Sequence, residues 1–450
     1  MSYTPHTTAQ RQEMLRAIGV EEVADLFADV PADHRFPTLE LPPPLSEMEV
    51  LAELRELASW NAAAHEYTSF LGAGAYFHYV PSVVAAIVGR SEFYSAYTPY
   101  QAEISQGTLQ VAFEYQSMIC ALTGMEVANA SHYDGGTALA ESVIMAHNIA
   151  RGKRSRVLLS PTVHPEYREV ARTYLQGTGI DLLGDALPSN DLEELAGQLD
   201  KNTSCLVVQS PTFLGEVLDP QRLRQLAEAV HAVGAVLVVA VDPISLGLFV
   251  PPGEIGADIV LGEGQALGNA MNFGGPFLGF FACRKAHVRR MAGRLAGQTV
   301  DVDGQRGFVL TLSTREQHIR REKASSNICT NQALNALTAA VYLAALGRCG
   351  LRRVAEICYH RAHYAAQQIG KLRGFEVLSP RPFFKEFVVR CPLAVAELNE
   401  RLLEQHAIIG GFDLSATHPH LKDCTLLCVT EAIAPSEIDR FVQALAEVAR

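Results

Sequence analysis

The sequence predicts an α/β fold in which a mostly parallel sheet is covered by helices on both faces. Two observations support this. Short apolar runs suited to buried strands recur along the middle of the chain, at 157–159, 180–183, 206–208, 235–241, 259–261 and 278–282. Helical segments separate several of them, at 165–176, 191–199 and 219–233. Continuous apolar strands that alternate with helices are typical of sheets buried on both faces, and their functional sites form at the carboxyl ends of the strands.

The remaining segments predict three regions. Residues 1–65 read as a helical N-terminal arm, with helices at 8–18 and 20–27 and a stronger one opened by a capping box of Ser46 and Glu49. Such an arm is expected to lie on a neighbouring domain or subunit. Residues 66–330 form the large sheet domain. Residues 331–450 form a smaller α/β domain, with helices at 331–346, 351–372, 394–404 and 436–448 and strands at 387–389 and 426–429. A chain of 450 residues exceeds the size of one hydrophobic core, which favours this division.

Composition argues against several classes of protein. The net charge is −12 and no phosphate-neutralising basic patch is visible, which argues against nucleic acid as the main partner. The nine cysteines include no CxxC pair and mostly lie in apolar runs, so we expect buried thiols and no metal site. The N-terminus lacks the pattern of a signal peptide, and no run of 18 apolar residues suits a membrane span. A cytoplasmic location without membrane contact is therefore predicted.

Two candidate binding features lie at the start of a helix and at the end of a strand. Asp134, Gly135, Gly136 and Thr137 open a helix that runs to about residue 150, and a glycine-rich helix start suits a phosphate. An ordinary Asp N-cap explains the same residues. Asp242 ends the strand at 235–241. In enzymes that use pyridoxal phosphate (PLP), an Asp at this place pairs with the pyridine nitrogen, but it also suits a simple turn before Pro243.

Two further observations concern the same edge of the sheet. His164 follows a strand and either stacks on a ring or belongs to an ordinary loop. The segment 257–276, where a PLP enzyme of this kind needs its imine-forming amine, contains no lysine. The chain has seven lysines, all elsewhere: Lys153, Lys201, Lys285, Lys323, Lys371, Lys385 and Lys422. The chain is therefore not expected to hold PLP productively by itself.

Two polar blocks are candidates for an interaction surface. Tyr97, Tyr100, Gln101 and Glu103 are concentrated in one short block, and tyrosine provides contact area with little entropy loss. The segment 314–327 is the densest basic run and includes Arg320 and Arg321, which suit carboxylates and phosphates. A surface loop and a charged loop at a domain junction are the alternative interpretations.

Taken together, these blocks resemble the glycine decarboxylase family, the P-protein of the glycine cleavage system. The resemblance extends in particular to the alpha chains (subunit 1) of organisms that split this protein in two. It spans nearly the whole chain and is carried by segments 3–7, 70–76, 96–101, 103–107, 127–131, 273–276 and 315–332. The last of these, which reads REQHIRREKASSNICTNQ, is close to diagnostic alone.

The resemblance implies a type I PLP-dependent transferase fold, like that of aspartate aminotransferase. It implies that the imine lysine and PLP belong to a beta subunit (subunit 2), the equivalent position here being near Ala266. It further implies a heterotetramer of two alpha and two beta chains, a lipoyl H-protein as the carrier, and a functional association with the aminomethyltransferase T-protein. Asp134 to Thr137, His164 and Asp242 would then be a relic of the cofactor cup.

On this basis we expect no catalytic residue in the chain alone. Tyr97, Tyr100, Gln101 and Glu103 are expected to line the interface cleft, and Arg320 and Arg321 to position the partner or an acidic carrier. A non-catalytic scaffold that only stabilises or docks its partners is the alternative function. An independent PLP transferase is disfavoured by the missing lysine.

Overall fold

The computed structural model describes residues 6–94, 98–185, 191–379 and 382–449. Contacts within the chain divide it into two compact units, Met1–Ala62 and Ala63–Arg450.

Within its described residues, 6–62, the first unit contains two α-helices and two short 3₁₀ helices. These are α1 (Thr8–Ile18), α2 (Glu47–Ala58) and the 3₁₀ turns Val23–Phe27 and Ala32–His34. The capping box at the start of α2 is confirmed, because Ser46 Oγ accepts from Glu49 N and the Glu49 carboxylate accepts from Ser46 N. The helix predicted at 20–27 is a 3₁₀ helix over only part of that range.

The second unit carries the remaining elements. Its strands are β1 (Thr68–Ser69), β2 (Val127–Ala128), β3 (Arg156–Leu159), β4 (Asp181–Leu183), β5 (Thr203–Gln209), β6 (Val236–Ala240), β7 (Ile259–Glu263), β8 (Gly279–Cys283), β9 (Leu295–Val300), β10 (Arg306–Thr311), β11 (Glu376–Val377), β12 (Glu386–Arg390), β13 (Ile408–Ile409), β14 (Phe412–Asp413) and β15 (Cys424–Cys428). Its helices are α3 (Ser82–Val88), α4 (Ser91–Tyr94), α5 (Gln106–Thr123), α6 (Gly135–Ile149), α7 (Pro165–Leu175), α8 (Leu192–Gly197), α9 (Pro220–Ala232), α10 (Pro252–Ile255), α11 (Gln317–Arg320), α12 (Ala333–Ile369), α13 (Val395–His406) and α14 (Pro435–Val448).

A seven-stranded sheet forms the centre of this unit, in the order β2-β8-β7-β6-β5-β3-β4. Strands β3 to β7 pair in parallel, whereas β8 is antiparallel to both β7 and β2. The mostly parallel sheet is therefore confirmed. Alternate residues of one strand belong to different apolar layers: Leu237 and Val239 of β6 pack on one face, and Val236 and Val238 on the other. Helices cover both faces, as the continuous apolar strands predict.

A second, antiparallel sheet follows in the order β11-β12-β15-β14. It packs with α13, α14 and the end of α12 around Phe387, Leu427 and Phe441. The two helices predicted at 331–346 and 351–372 are joined here as α12, with a break at Gly347, where φ is +58°. By its length and apolar composition helix α12 could cross a membrane, but one such helix is weak evidence for a membrane span. Its residues Ala336 and Ala339 lie in the core of this unit, against α3 and α5.

The hairpin of β9 and β10 is an element that the sequence patterns did not predict. Two glutamine side chains of α5 hold it. Gln116 donates to Ala296 O and accepts from Ala296 N, both at 2.9 Å. Gln106 makes the equivalent pair with Phe308, at 2.8 Å in each direction. Arg294 lies just before this hairpin and Ser313 just after it, so the anchored hairpin fixes the positions of both residues.

Candidate functional site

Helix α6 begins as the sequence predicts, with Asp134 as its N-cap. The Asp134 carboxylate accepts from Thr137 N at 2.7 Å, and Thr137 Oγ1 accepts from Asp134 N at 3.1 Å. Gly135 must be small, because an added Cβ would lie 2.2 Å from the hydroxyl oxygen of Tyr167. The glycine at this position therefore lets an aromatic side chain cover the start of the helix.

A carboxylate of the chain itself occupies the N-terminus of α6. Glu263, at the end of β7, accepts from Gly135 N at 3.0 Å, and its other oxygen accepts from Gln265 N and Leu278 N at 2.9 Å. Burial and the neighbouring Asp134 raise the pKa of Glu263 to about 7, against the opposing effect of these three N–H donors. Glu263 thus accepts from the first N–H of α6, a donor that a phosphate bound at this helix start would use.

Asp242 lies at the carboxyl end of β6, where the sequence predicts it. Its Oδ1 accepts from Ile244 N at 2.8 Å and from Ser245 N at 3.3 Å, which closes the turn after the strand. Its Oδ2 lies 2.6 Å from Nζ of Lys385, which precedes β12 in the second sheet. The acid predicted from the sequence to resemble the partner of a PLP ring nitrogen is therefore already paired with an internal ammonium.

Lys385 is enclosed on every side. Its side chain is 1% exposed, its Nζ lies 3.4 Å from the centre of the Tyr76 ring, and it donates to Nε2 of His78 at 3.0 Å. Because that nitrogen accepts, we assign the ring proton to Nδ1, which lies 2.6 Å from the Glu431 carboxylate. Burial is the largest single influence and lowers the pKa of Lys385, but the groups around it, Asp242 foremost, together hold that pKa above its ordinary value. Lys385 is therefore a buried cation at neutral pH.

His78, Cys358 and Glu431 offer three ligand atoms within 4.8 Å of one another. These atoms already bond among themselves, since the Cys358 thiol donates to Glu431 at 3.3 Å. The ammonium of Lys385, next to His78, also disfavours a second positive charge. We therefore read this cluster as part of the Lys385 network and not as a metal centre.

His164 has both of its ring nitrogens occupied. Nε2 lies 2.8 Å from Ala73 O, and Nδ1 accepts from Glu166 N at the start of α7. Its ring stacks on Tyr167, with centroids 4.6 Å apart. The imidazole therefore serves as a helix cap and an aromatic contact within the core.

In the segment after β7, where the imine lysine would be expected, the amide side chain of Gln265 makes several hydrogen bonds. Gln265 accepts from Tyr76 N at 2.8 Å and donates to Tyr76 O at 3.0 Å and to Asn269 O at 2.7 Å. The next residue, Ala266, is buried at 2% exposure. This hydrogen bonding ties the loop of Tyr76 to the sheet edge.

The relic cup does not fit PLP. The cofactor requires an amine for the imine, an open helix N-terminus for its phosphate and an acid for its ring nitrogen. Among the described residues, Gln265 and Ala266 stand at the first place and Glu263 fills the second. Lys385 occupies the third. Sequence reasoning missed Lys385, although one signal was available: Lys385 and Glu386 are charged residues inside the apolar run 383–389.

A separate groove joins the two polar blocks that the sequence singled out. It measures about 590 Å³, and its lining includes Tyr100, Gln101 and Glu103 of the first block with Glu316 and His318 of the second. Tyr97 lies outside the described residues. The structure therefore brings together two blocks that are far apart in the sequence, at a surface that includes exposed side chains of both.

Arg294 lies in the wall of this groove and was not predicted. Its guanidinium is 5.9 Å from the centre of the Tyr100 ring and donates to Cys329 O at 2.8 Å. The residue is only 7% exposed. Arg294 thus links the tyrosine block to the end of the 315–332 motif.

The basic motif divides into a buried and an exposed part. Arg315 is buried and donates to the backbone oxygens of Met291, Gly293 and Leu312. Arg320 and Arg321 are exposed, and Arg320 Nε donates to Thr314 O at 3.2 Å. Neither arginine lines the groove itself. Arg315 is therefore structural, whereas the other two present their charges to solvent.

Comparison with known proteins agrees with this architecture. A family model described as "Glycine cleavage system P-protein" matches residues 1–445. A relative from Thermomicrobium roseum, named probable glycine dehydrogenase (decarboxylating) subunit 1, is 54% identical over 99% of each chain. A protein of the same name from Moorella thermoacetica is 50% identical, again over 99% of each.

Solved structures give the same result. A crystal structure of glycine decarboxylase (P-protein) of the glycine cleavage system, in inhibitor-bound form, superposes with a TM-score of 0.90 at 45% identity over the full length of both chains. A sphingosine-1-phosphate lyase from Burkholderia pseudomallei (TM-score 0.65, 18% identity) and a glutamate decarboxylase from Lactobacillus brevis (0.66, 13%) share the fold alone. The predicted type I PLP-dependent fold is confirmed, and this chain belongs to the P-protein family of the glycine cleavage system.

Proposed function

We propose that this chain is the alpha subunit of a two-subunit glycine decarboxylase. With a beta subunit it would convert glycine and the oxidised lipoyl H-protein into CO2 and the aminomethyl-dihydrolipoyl H-protein. The observation that carries the proposal is full-length similarity to this family in a chain whose own cofactor cup is filled. The names of the relatives include "subunit 1", which supports the existence of a second subunit.

PLP is assigned by this proposal to the beta subunit. The cup of this chain contributes no step of the reaction, because Asp242 is paired with Lys385 and Glu263 covers the N-terminus of α6. What the chain contributes must therefore come from another surface. A cytoplasmic enzyme that works in sequence with the aminomethyltransferase T-protein completes the proposal.

The groove is the surface that we assign to the partner subunit. Tyr100 is 71% exposed and stands over Arg294, a combination of aromatic ring and guanidinium that is frequent where interfaces are most sensitive to mutation. Glu103, Glu316 and His318 add polar groups around it. Because the groove combines apolar area with charges, it suits a protein surface that approaches the partner's reaction centre.

Arg320 and Arg321 are proposed to position the partner or the acidic carrier. Both are exposed, and neither makes an ion pair among those found in the described residues. Unpaired surface arginines attract an acidic surface at long range and lose this effect at high ionic strength. A fall in activity that follows the salt concentration, and that is absent in R320Q/R321Q, is the expected sign of this role.

Exchange of labelled CO2 with glycine, measured in a mixture of this chain, the beta subunit and H-protein, tests the groove. Y100A is expected to lower the exchange rate at limiting beta subunit by about 10-fold or more, as for a sensitive interface tyrosine. Y94A is the matched control, because Tyr94 is also 71% exposed but does not line the groove. It should leave the exchange rate within about twofold of wild type.

The two variants also separate the leading function from a scaffold. If Y100A binds the beta subunit as wild type does but exchanges slowly, the groove acts on the reaction. If Y100A weakens binding and saturating beta subunit restores full activity, the groove serves assembly only. If Y100A and Y94A behave equally in both assays, the groove has no role in binding the beta subunit or in the reaction.

A further inference from the structure

Two ionisable groups of the chain stand where a cofactor of this fold places its charged ends. An ammonium, Lys385 Nζ, lies 2.6 Å from Asp242, which in PLP enzymes faces the protonated ring nitrogen. A carboxylate, Glu263, accepts from Gly135 N at the start of α6, where a phosphate would bind. The positive and the negative end of the missing cofactor thus both have an internal counterpart.

The surroundings of Lys385 make it a fixed part of the fold. Lys385 immediately precedes β12 of the second sheet, whereas Asp242 follows β6 of the first. The Tyr76 ring lies 3.4 Å from Nζ and replaces water with a cation–π contact. Tyr76 is itself held at both ends, by Gln265 at its backbone and by Glu386 at its hydroxyl, 2.8 Å away. The ammonium is therefore enclosed by groups that are individually anchored.

Removing one partner of such a pair is costly. A buried carboxylate or ammonium without its counter-charge loses solvation and gains nothing in return, so proteins tolerate loss of both partners better than loss of one. In a PLP enzyme of this fold, the protonated cofactor ring supplies the cation that pairs with the acid in this position. A chain that retains the acid and lacks the cofactor needs another cation, and Lys385 is the one that reaches it.

We propose that Lys385 and Glu263 are internal replacements for the two charged ends of a cofactor, and that they close the relic cup against PLP and phosphate. Lys385 neutralises Asp242 and ties the two sheets together at this point. Glu263 accepts from the first N–H of α6, that of Gly135. The fold therefore keeps the geometry of a cofactor-dependent domain without a bound cofactor.

The first test is chemical rescue of Lys385. K385A is expected to lower the melting temperature of the full chain by about 3–5 °C, as for a broken buried ion pair in a chain of this length. Propylammonium, which has the atoms that the substitution removes, should restore at least half of the loss. Its neutral analogue propanol should not. K371A, which removes an exposed lysine, is the control and should melt within about 1 °C of wild type.

A melting temperature of K385A equal to wild type, or equal rescue by propanol and propylammonium, would overturn the role of the charge. If K385A does not fold, K385M, D242N and the double variant K385M/D242N replace it. The proposal predicts that the double variant melts higher than either single one. Additive losses would contradict it.

The second test uses PLP and inorganic phosphate as probes on the wild-type chain alone. Equilibrium dialysis and the absorbance of bound PLP are expected to show no saturable binding. Binding of one PLP per chain, competed by phosphate, would refute closure of the cup. These measurements need neither the beta subunit nor activity. Their failure is thus distinguishable from failure of the proposed function, on which the comparison with a cofactor rests.

Discussion

Replacing Arg315 by Met should strongly destabilise the chain, because Arg315 makes its contacts within the fold itself. Arg315 is buried, and its guanidinium donates to three backbone oxygens, those of Met291, Gly293 and Leu312. A hydrogen bond from a charged donor contributes about 1.5–3 kcal/mol. Water can reach part of the vacated surface, so we expect R315M to lower the free energy of unfolding by about 3–5 kcal/mol.

Urea denaturation followed by circular dichroism measures this loss. R315K keeps the charge but loses the planar fork of donors, so it should regain less than half of the stability. R320M is the matched control, because Arg320 is exposed and makes one backbone contact, and it should change stability by less than about 0.5 kcal/mol. If R315M lowers the free energy of unfolding by less than about 1 kcal/mol, the guanidinium does not stabilise the chain as expected, because the three oxygens would then be satisfied without it.

Three further predictions concern buried groups of the second unit. Burial raises the pKa of Glu141 to about 7 from an ordinary value of 4.5, so its folded form binds the proton more tightly. Stability should therefore fall by about 3 kcal/mol as the pH rises from about 4.5 to about 7, and E141Q should lack this part of the slope in urea denaturation; identical slopes would contradict the assignment. G135A should lower the melting temperature, because its Cβ would meet the Tyr167 hydroxyl, whereas G107A at an open helical position should be neutral or stabilising by about 0.5–1 kcal/mol; two equal variants would disprove the close contact. Q116L leaves the N–H and C=O of Ala296 unpaired and should speed hydrogen exchange of β9, and unchanged exchange would mean that the glutamine does not hold the hairpin.

The sheet was predictable because buried parallel strands are continuous apolar runs. Strand β6 extends over Val236–Ala240 against a predicted 235–241, and β7 and β8 were placed with similar accuracy. The hairpin of β9 and β10 was missed because half of β9 is exposed and its residues are mixed in character, so its sequence carries no such run. Its position depends on Gln106 and Gln116, two side chains that sequence patterns do not pair with a distant backbone.

The site could be predicted only in part, for a similar reason. Asp134 and Asp242 were recognised because local chain geometry, a helix start and a strand end, determines their roles. Lys385 was not, because its role depends on the contact between two sheets that lie far apart in the sequence. Arg294 reaches Tyr100 in the same non-local way. Tertiary contacts of this kind leave only an indirect trace, such as a Lys–Glu pair inside an apolar run.

Glycine-dependent exchange of labelled CO2 shows whether activity depends on a second subunit. The exchange would be measured with H-protein and PLP present for this chain alone, the beta subunit alone and the two mixed. We expect exchange in the mixture and at most a trace in either single sample. Exchange by this chain alone would contradict this expectation, because another residue would then hold the cofactor and the cup filled by Lys385 and Glu263 would not be closed.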